Sequence, residues 1–318
     1  MKLNHIYCGD AVQTLKEFPS DSIDCCVTSP PYYALRDYGV CNQIGAENTL
    51  GEYIDKLLCV FSEVHRVLKK DGTFWLNLGD TYSYSSRDSN AHKTRSLLQQ
   101  TNIGSLSMPN HESIDLKSSN LKPKDLMGIP WTIALDLRNK LGFYLRQDII
   151  WAKPNPMPES VKDRCTKSHE YIFLLSKSKK YYFNADAIKE KVDEKSIIRY
   201  NSRFNTGVKE ISGAGRLKQG SNTAGFKKFT GYKNKRDVWI VATRGYKGAH
   251  FATFPTALIK PCILAGCREG GIVLDPFFGS GTVGVVAKEL NRNYIGIDIN
   301  GDYCNLAENR INGGNKNA

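Results

Sequence analysis

Gly271-Ile272-Val273-Leu274-Asp275-Pro276-Phe277-Phe278-Gly279-Ser280-Gly281-Thr282 is a short apolar run that ends on an acid and passes through a glycine turn into a helical stretch. The run reads as a buried strand, and a glycine turn at its tip lets a ligand approach the backbone closely. A second acid, Asp298, ends the next apolar run, Tyr294-Ile295-Gly296-Ile297, 23 positions after Asp275. That offset is near the roughly 20 residues at which an acid holds ribose hydroxyls in nucleotide-binding folds. Upstream, Thr49-Leu50-Gly51-Glu52 has capping-box spacing, and Leu50, Tyr53, Ile54, Leu57, Leu58, Phe61, Val64 and Leu68 recur at helical intervals. Asp71-Gly72 then turns the chain into the strand Thr73 to Leu78. Strand, helix, strand in succession predicts a parallel α/β sheet.

Near the N-terminus a different punctuation follows the apolar run Ile23-Asp24-Cys25-Cys26-Val27: the stretch Thr28-Ser29-Pro30-Pro31-Tyr32. Two consecutive prolines fix two φ angles and remove two N–H donors, so the Ser29 hydroxyl and the neighbouring carbonyls form a rigid set of acceptors. Tyr32 adds an aromatic face beside them. A flat, amino-bearing ring that must be both stacked and hydrogen-bonded, a nucleobase, suits that arrangement. A dinucleotide-dependent enzyme suits the downstream turn poorly. The turn lacks Gly-x-Gly-x-x-Gly, and Asp275 would repel a pyrophosphate.

Ser-Pro-Pro-Tyr followed far downstream by Asp-Pro-Phe-Phe-Gly-Ser-Gly-Thr resembles the β-group of amino-methylating DNA methyltransferases. The similarity extends to Leu35 to Gly39, Trp75 to Asp80 and Asp148 to Pro156. The resemblance implies a seven-stranded class I S-adenosylmethionine-dependent (Rossmann-like) sheet, circularly permuted, with an inserted target-recognition region. It implies Ser29, Pro30, Pro31 and Tyr32 as the catalytic block, and S-adenosylmethionine as cofactor. Asp275 would face the cofactor's ammonium, with Phe277, Gly279, Ser280, Gly281 and Thr282 in the turn and Asp298 on the ribose. Phe251, Thr253 and Phe254 of the His-Phe-x-x-Phe-Pro block would line the same pocket. Asp10, after an early strand, is either an acceptor for the adenine amine or a helix N-cap. Trp151 and Lys153 form a candidate wall of the base pocket, with core packing the other reading of Trp151. Cytosine N4 is the implied target, because Ser-Pro-Pro-Tyr is commonest among cytosine-N4 members; a hydroxyl can accept from either base's amine, so adenine N6 is the alternative. A DNA-binding protein that keeps the fold without turnover is the reading from another class.

The chain of 318 residues carries a formal charge of +12, which points to a polyanionic partner, duplex DNA. Twelve Lys or Arg against four acids lie between Lys191 and Asp237, interleaved with aromatic residues. This divides the chain into a catalytic half, 1–190, a basic target-recognition insert, 191–237, with Arg199, Arg203, Arg216, Lys227 and Lys228 as candidate DNA contacts, and a cofactor half, 238–318. A polar stretch of about 81–122 within the first half predicts a long loop that closes over DNA. Tyr171 to Leu175 and Tyr181 to Phe183 read as an antiparallel hairpin at the sheet edge. Nine cysteines show no Cys-x-x-Cys pair, so neither a disulfide framework nor a metal site is expected. Cys262 falls on an apolar helix face, which argues against a cysteine nucleophile. No membrane span or export signal is evident, giving a cytoplasmic expectation, and a restriction endonuclease is a possible companion.

Overall fold

The computed structural model describes residues 1–35, 40, 42–83, 121–198, 231–243 and 254–313. They form two compact units, Met1–Asn184 with Asp237–Ala318, and Ala185–Arg236. The loop expected at 81–122 falls largely outside the described residues. So do Phe251 and Thr253, and so do Arg199, Arg203, Arg216, Lys227 and Lys228.

In the larger unit the chain runs β1 (His5–Cys8), α1 (Ala11–Lys16), β2 (Ile23–Thr28), α2 (Leu50–Val67), β3 (Leu68–Leu78), α3 (Ile129–Asn139), β4 (Tyr144–Ala152) and β5 (His169–Ser176). In the smaller unit β6 (Glu190–Lys191) pairs with β7 (Tyr232–Lys233) in a two-stranded antiparallel ladder. The larger unit resumes with β8 (Val238–Ile240), α4 (Thr256–Gly266), β9 (Ile272–Asp275), α5 (Thr282–Glu289), β10 (Asn293–Asp298) and α6 (Gly301–Asn312). Helix α2 starts where its sequence requires. Thr49 accepts from the Glu52 N–H at 3.2 Å, and the Glu52 carboxylate accepts from the Thr49 N–H at 3.2 Å, completing the capping box.

One eight-stranded sheet spans the larger unit in the order β1-β10-β9-β2-β3-β5-β4-β8. Among the described residues the sheet has eight strands where seven were expected, the extra one being the three-residue β8, which pairs in parallel with the end of β4. Every neighbouring pair is parallel except those that include β5, which runs against both β3 and β4. This corrects the expected edge hairpin. β5 lies inside the sheet, and Tyr181 to Phe183 form no strand; the Tyr182 N–H instead reaches the Asp71 carbonyl at 2.9 Å. Leu78 to Tyr171 and Ala152 to His169 are the pairings that set β5 between its partners.

Strand β2 is buried along its whole length and reads as unbroken apolar sequence apart from Asp24 and Thr28, as a two-faced parallel strand should. Its register against β3 jumps from Ile23↔Leu68 to Cys25↔Thr73, so Lys69 to Gly72 bulge out opposite Asp24. Asp24 is held there by Lys69 at 2.8 Å and by the Ile272 N–H at 2.9 Å, which fixes β2 between β3 and β9. One face of the sheet packs on α1, α2 and α3 through Leu15, Phe18, Leu57, Phe61, Val64, Phe74, Ile133 and Leu137. In α3, Ile129, Pro130, Ile133, Ala134 and Leu137 take the buried positions, while Trp131 and Leu135 remain more than a third exposed. From β2 the chain proceeds through α2 to β3 on one side, and from β9 through α5 to β10 on the other. The order reverses between β2 and β9, and such a switch point opens a crevice at the carboxyl ends of the strands.

Candidate active site

Both sequence motifs meet at that crevice. Thr28, the last residue of β2, donates its hydroxyl to Asp275 Oδ1 at 2.5 Å, and Asp275 is the last residue of β9. The same oxygen accepts from the Phe277 N–H at 3.0 Å. Asp275 is 1% exposed, and burial pushes its carboxyl up to about 7, although Thr28 and the Phe277 N–H pull the other way. A buried carboxylate lacking a cation neighbour is costly, which is the condition of a group built to meet one.

The glycine turn is held by the neighbouring strand. Asp298, at the end of β10, accepts from the Gly279 N–H at 2.7 Å and from the Asn300 N–H at 2.9 Å, and burial raises its carboxyl above the usual range. The two glycines of the turn then separate in role. Gly279 has φ +50° and open space around any added Cβ, so a ligand can reach its backbone. At Gly281, with φ +76°, a Cβ would sit 2.8 Å from that of Ala307 in α6, so this glycine serves helix packing. The hydroxyl oxygens of Ser280 and Thr282 have a partner within the protein. Both are buried, and both accept from the Nη1 of Arg310, at 2.9 and 3.0 Å, as does the Ser280 carbonyl at 3.1 Å. Arg310, in α6, was not legible as a site residue because its helix is otherwise an ordinary amphipathic one.

Around this turn Phe277 is half-buried and edge-on to Phe61 at 6.5 Å, and Phe254 is half-buried just ahead of α4. Asp10 is exposed and caps α1, its Oδ1 accepting from the Gln13 N–H at 2.8 Å. Pro255 precedes α4, where Cys262 is 1% exposed with its thiol directed at the Leu258 carbonyl. A buried thiol so placed is a packing group.

The Ser29 to Tyr32 stretch follows β2 at the same crevice. Pro30 is buried, and the Pro31 carbonyl accepts from the Tyr53 hydroxyl of α2 at 2.8 Å, so that carbonyl is a fixed point of the loop and not an open acceptor. Ser29 and Tyr32 are half-buried. The Tyr32 hydroxyl donates to Glu170 Oε2 at 2.7 Å. Glu170 also accepts from Asn77 Nδ2 at 3.2 Å and pairs with the Lys153 ammonium through Oε1. That ammonium lies 4.4 Å over the Trp151 ring, whose indole N–H donates to the Val241 carbonyl at 2.8 Å. Trp151 is 4% exposed, so the side chains bordering the crevice here are Lys153, Glu170 and Tyr32. Gly79 is required beneath them, since a Cβ there would stand 2.7 Å from Tyr32 Cε2.

The ends of β1, β10, β9, β2, β3 and β4, together with the start of the reversed β5, thus bring Asp10, Asp298, Asp275, Ser29, Gly79, Lys153 and Glu170 to one edge of one sheet. Residues 23–309 match the family described as DNA methylase, the N6/N4 methyltransferases. The chain belongs to this family. It is therefore a DNA methyltransferase of the amino-methylating group, whose methyl donor is S-adenosylmethionine. The chain is 44% identical over 309 residues to the type II methyltransferase M.Cfr9I of Citrobacter freundii, covering 97% of this chain and 88% of that protein. It is likewise 44% identical over 312 residues to the type II methyltransferase M.SmaI of Serratia marcescens, covering 96% and 90%. Among solved structures, the PvuII DNA methyltransferase (cytosine-N4-specific) shares the fold with a TM-score of 0.62 at 18% identity, over 97% of this chain and 86% of that one. TTHA0409 of Thermus thermophilus, complexed with S-adenosyl-L-methionine, shares it with a TM-score of 0.57 at 21% identity, over 97% and 93%. Among the described residues no helix is long and apolar enough to cross a membrane, and no cluster of His, Cys, Asp or Glu could hold a metal ion.

Proposed function

We propose that this methyltransferase modifies the exocyclic N4 of cytosine at a specific site in duplex DNA, on a base swung out of the helix, as the modifying half of a restriction-modification pair. The observation that supports the reading is the junction of β2 and β9, where Thr28 bonds Asp275 and so ties the strand that leads into Ser29 to the strand that leads into the glycine turn. A buried, raised carboxylate at Asp275 and an unobstructed backbone at Gly279 fit a ligand that brings a cationic amino-acid moiety. Asp275 would hold its ammonium, Asp298 its ribose hydroxyls, and Phe254 and Phe277 its flat ring. When bound, S-adenosylmethionine supplies an electrophilic methyl group on a sulfonium.

The remaining work belongs to the protein. An exocyclic amine is a poor nucleophile because its lone pair is delocalised into the ring, and acceptors at Ser29 and Pro30 draw it toward tetrahedral geometry. Tyr53 fixes the Pro31 carbonyl, and the two proline rings keep the loop from turning away. Tyr32 and Lys153 border the place of the extruded base. No covalent enzyme intermediate is needed, consistent with the buried Cys262. In the order of its halves, with β2 ahead of β9, the sheet is read as circularly permuted. The basic segment 191–237 is read as the target-recognition insert. Its described part includes Lys233, Lys235 and Arg236 clustered on Glu190, whose carboxyl they draw down against the upward push of burial.

Digesting modified DNA to nucleosides and weighing them tests the assignment directly. N4-methyldeoxycytidine is expected, and N6-methyldeoxyadenosine would overturn it. Ser29→Ala loses most activity, whereas Cys262→Ser retains it.

A further inference from the structure

We propose that Glu170 is the positioning residue of the base pocket: its carboxylate holds the Tyr32 ring and the Lys153 ammonium in one frame, so the wall that receives the extruded base is set before DNA arrives. The inference rests on the reading of Tyr32 and Lys153 as borders of that pocket.

Every contact in the frame joins described residues. The Tyr32 hydroxyl donates to Glu170 Oε2 at 2.7 Å. Where the same ring passes the end of β3 it leaves no room for a side chain, since a Cβ on Gly79 would stand 2.7 Å from Tyr32 Cε2 and 3.4 Å from Glu170 Cδ. A ring held at its tip and along one edge keeps a single orientation, whereas an untethered one turns about its side-chain torsions. The other carboxylate oxygen, Oε1, accepts from the Lys153 ammonium, which also lies 4.4 Å over the Trp151 ring. A lysine has a long, flexible stem, and these two contacts fix where its charge sits.

The carboxylate is fixed in its turn. Asn77, buried in β3, donates from Nδ2 to Glu170 Oε2 at 3.2 Å and to the carbonyl of the next residue, Tyr171, at 3.0 Å, which ties both side chain and backbone of early β5 to β3. The Trp151 ring beneath Lys153 is anchored by its indole N–H on the Val241 carbonyl at 2.8 Å. Donors from the stretch after β2, from β3 and from the stretch after β4 thus converge on one side chain at the start of β5. An incoming base then meets a surface that is already ordered, and the small displacements that spoil an in-line transfer are prevented. Glu170 acts through Tyr32 and Lys153 and does not itself touch the base.

Single-turnover methyl transfer by the full-length protein to unmethylated duplex DNA tests this, beside dissociation constants for the duplex by fluorescence anisotropy and for S-adenosylmethionine by calorimetry. Glu170→Ala releases both Tyr32 and Lys153 and is expected to slow transfer by about 100-fold, the effect of a displacement of about 1 Å. Tyr32→Phe keeps the ring and removes the tether, while Glu170→Gln keeps an oxygen for Tyr32 and gives up the ion pair; each should slow transfer by about 10-fold. Both dissociation constants should stay within about twofold of the wild type, a split that a merely structural residue would not produce. Adding Tyr32→Phe to Glu170→Ala should slow transfer no further, because a tether without its acceptor has nothing left to lose. A wild-type rate in Glu170→Ala, multiplying losses in the double variant, or parallel loss of both affinities overturns the proposal. If Glu170→Ala does not fold, wild-type rates in Glu170→Gln and Tyr32→Phe overturn it equally. A Tyr32→Ala enzyme with a wild-type rate would instead sink the pocket reading on which the proposal rests; a slow Tyr32→Ala beside a wild-type Glu170→Ala would sink the positioning role alone.

Discussion

Replacing Asp275 by Asn should make the protein more stable at neutral pH while weakening its hold on the cofactor. The carboxyl sits at about 7 in the fold against 3.8 in its ordinary state, with burial the leading cause. A folded value above the unfolded one means that the native state binds this proton more tightly, so its contribution is fully present below pH 4 and is lost as pH rises toward 7. Three pH units at about 1.4 kcal/mol each make a loss of about 4 kcal/mol above pH 7. Asparagine keeps an oxygen for the Thr28 hydroxyl and the Phe277 N–H and has no charge to desolvate. We therefore expect the variant to gain about 2–4 kcal/mol at pH 8 and nothing at pH 4. Urea titrations of both proteins between pH 4 and 8 would measure this. The quantity to follow is the difference between the curves, because groups such as Glu159, held below the usual range by Arg164, act on both equally. A difference that does not change with pH, or an Asp275→Asn protein less stable than the wild type at pH 8, would refute the assignment of a buried, uncompensated carboxylate. Calorimetry should show cofactor binding weakened at least tenfold, as expected when a charge partner is lost.

Removing the Arg310 guanidinium leaves the buried Ser280 and Thr282 oxygens without their donor, so Arg310→Ala should cost about 2–4 kcal/mol in urea unfolding and loosen cofactor binding with it. Gly296→Ala places a Cβ 2.5 Å from both Cδ atoms of Phe278, whose ring stacks on Tyr294, and should cost about 1–3 kcal/mol by overpacking. Gly279→Ala, by contrast, meets no atom within 4 Å; it should cost only about 1 kcal/mol for its positive φ, yet lose cofactor affinity measured by calorimetry.

Much of this site can be read from residues alone because its parts are local. A strand ending on an acid, a glycine turn, a capping box and a double proline each declare their geometry within a few positions, and all stand where expected. Asp298 is singled out by its offset, and in the structure it accepts from the Gly279 N–H. What the residues alone do not show is of tertiary origin. Ser280 and Thr282 carry hydroxyls suited to a ligand, but the partner that claims them, Arg310, lies about 30 positions away on a helix whose sequence gives no sign of it. Trp151 and Trp131 show the same limit, since a residue's type does not say which neighbour covers it: Trp151 is buried. Trp131 instead meets Phe173 edge-on at 5.2 Å and remains partly exposed.

Glu170 went unseen for a reason of direction. In a parallel sheet the residues at strand starts lie on the edge opposite the crevice, so a glutamate two positions into a strand carries no expectation of function. Reading Tyr171 to Leu175 as half of an edge hairpin hid the exception. β5 is antiparallel to both its neighbours, and His169 pairs with Ala152 at the end of β4 while Tyr171 pairs with Leu78 at the end of β3. The reversal delivers the start of β5 to the edge where the other strands finish. Glu170 is thereby set between Lys153 on one side and Asn77 and Tyr32 on the other, a position that a parallel strand of the same sequence could not supply. The reversal of β5 is thus what allows a carboxylate to back the loop that carries Tyr32 from behind, and a topology with β5 parallel would leave Tyr32 without its acceptor.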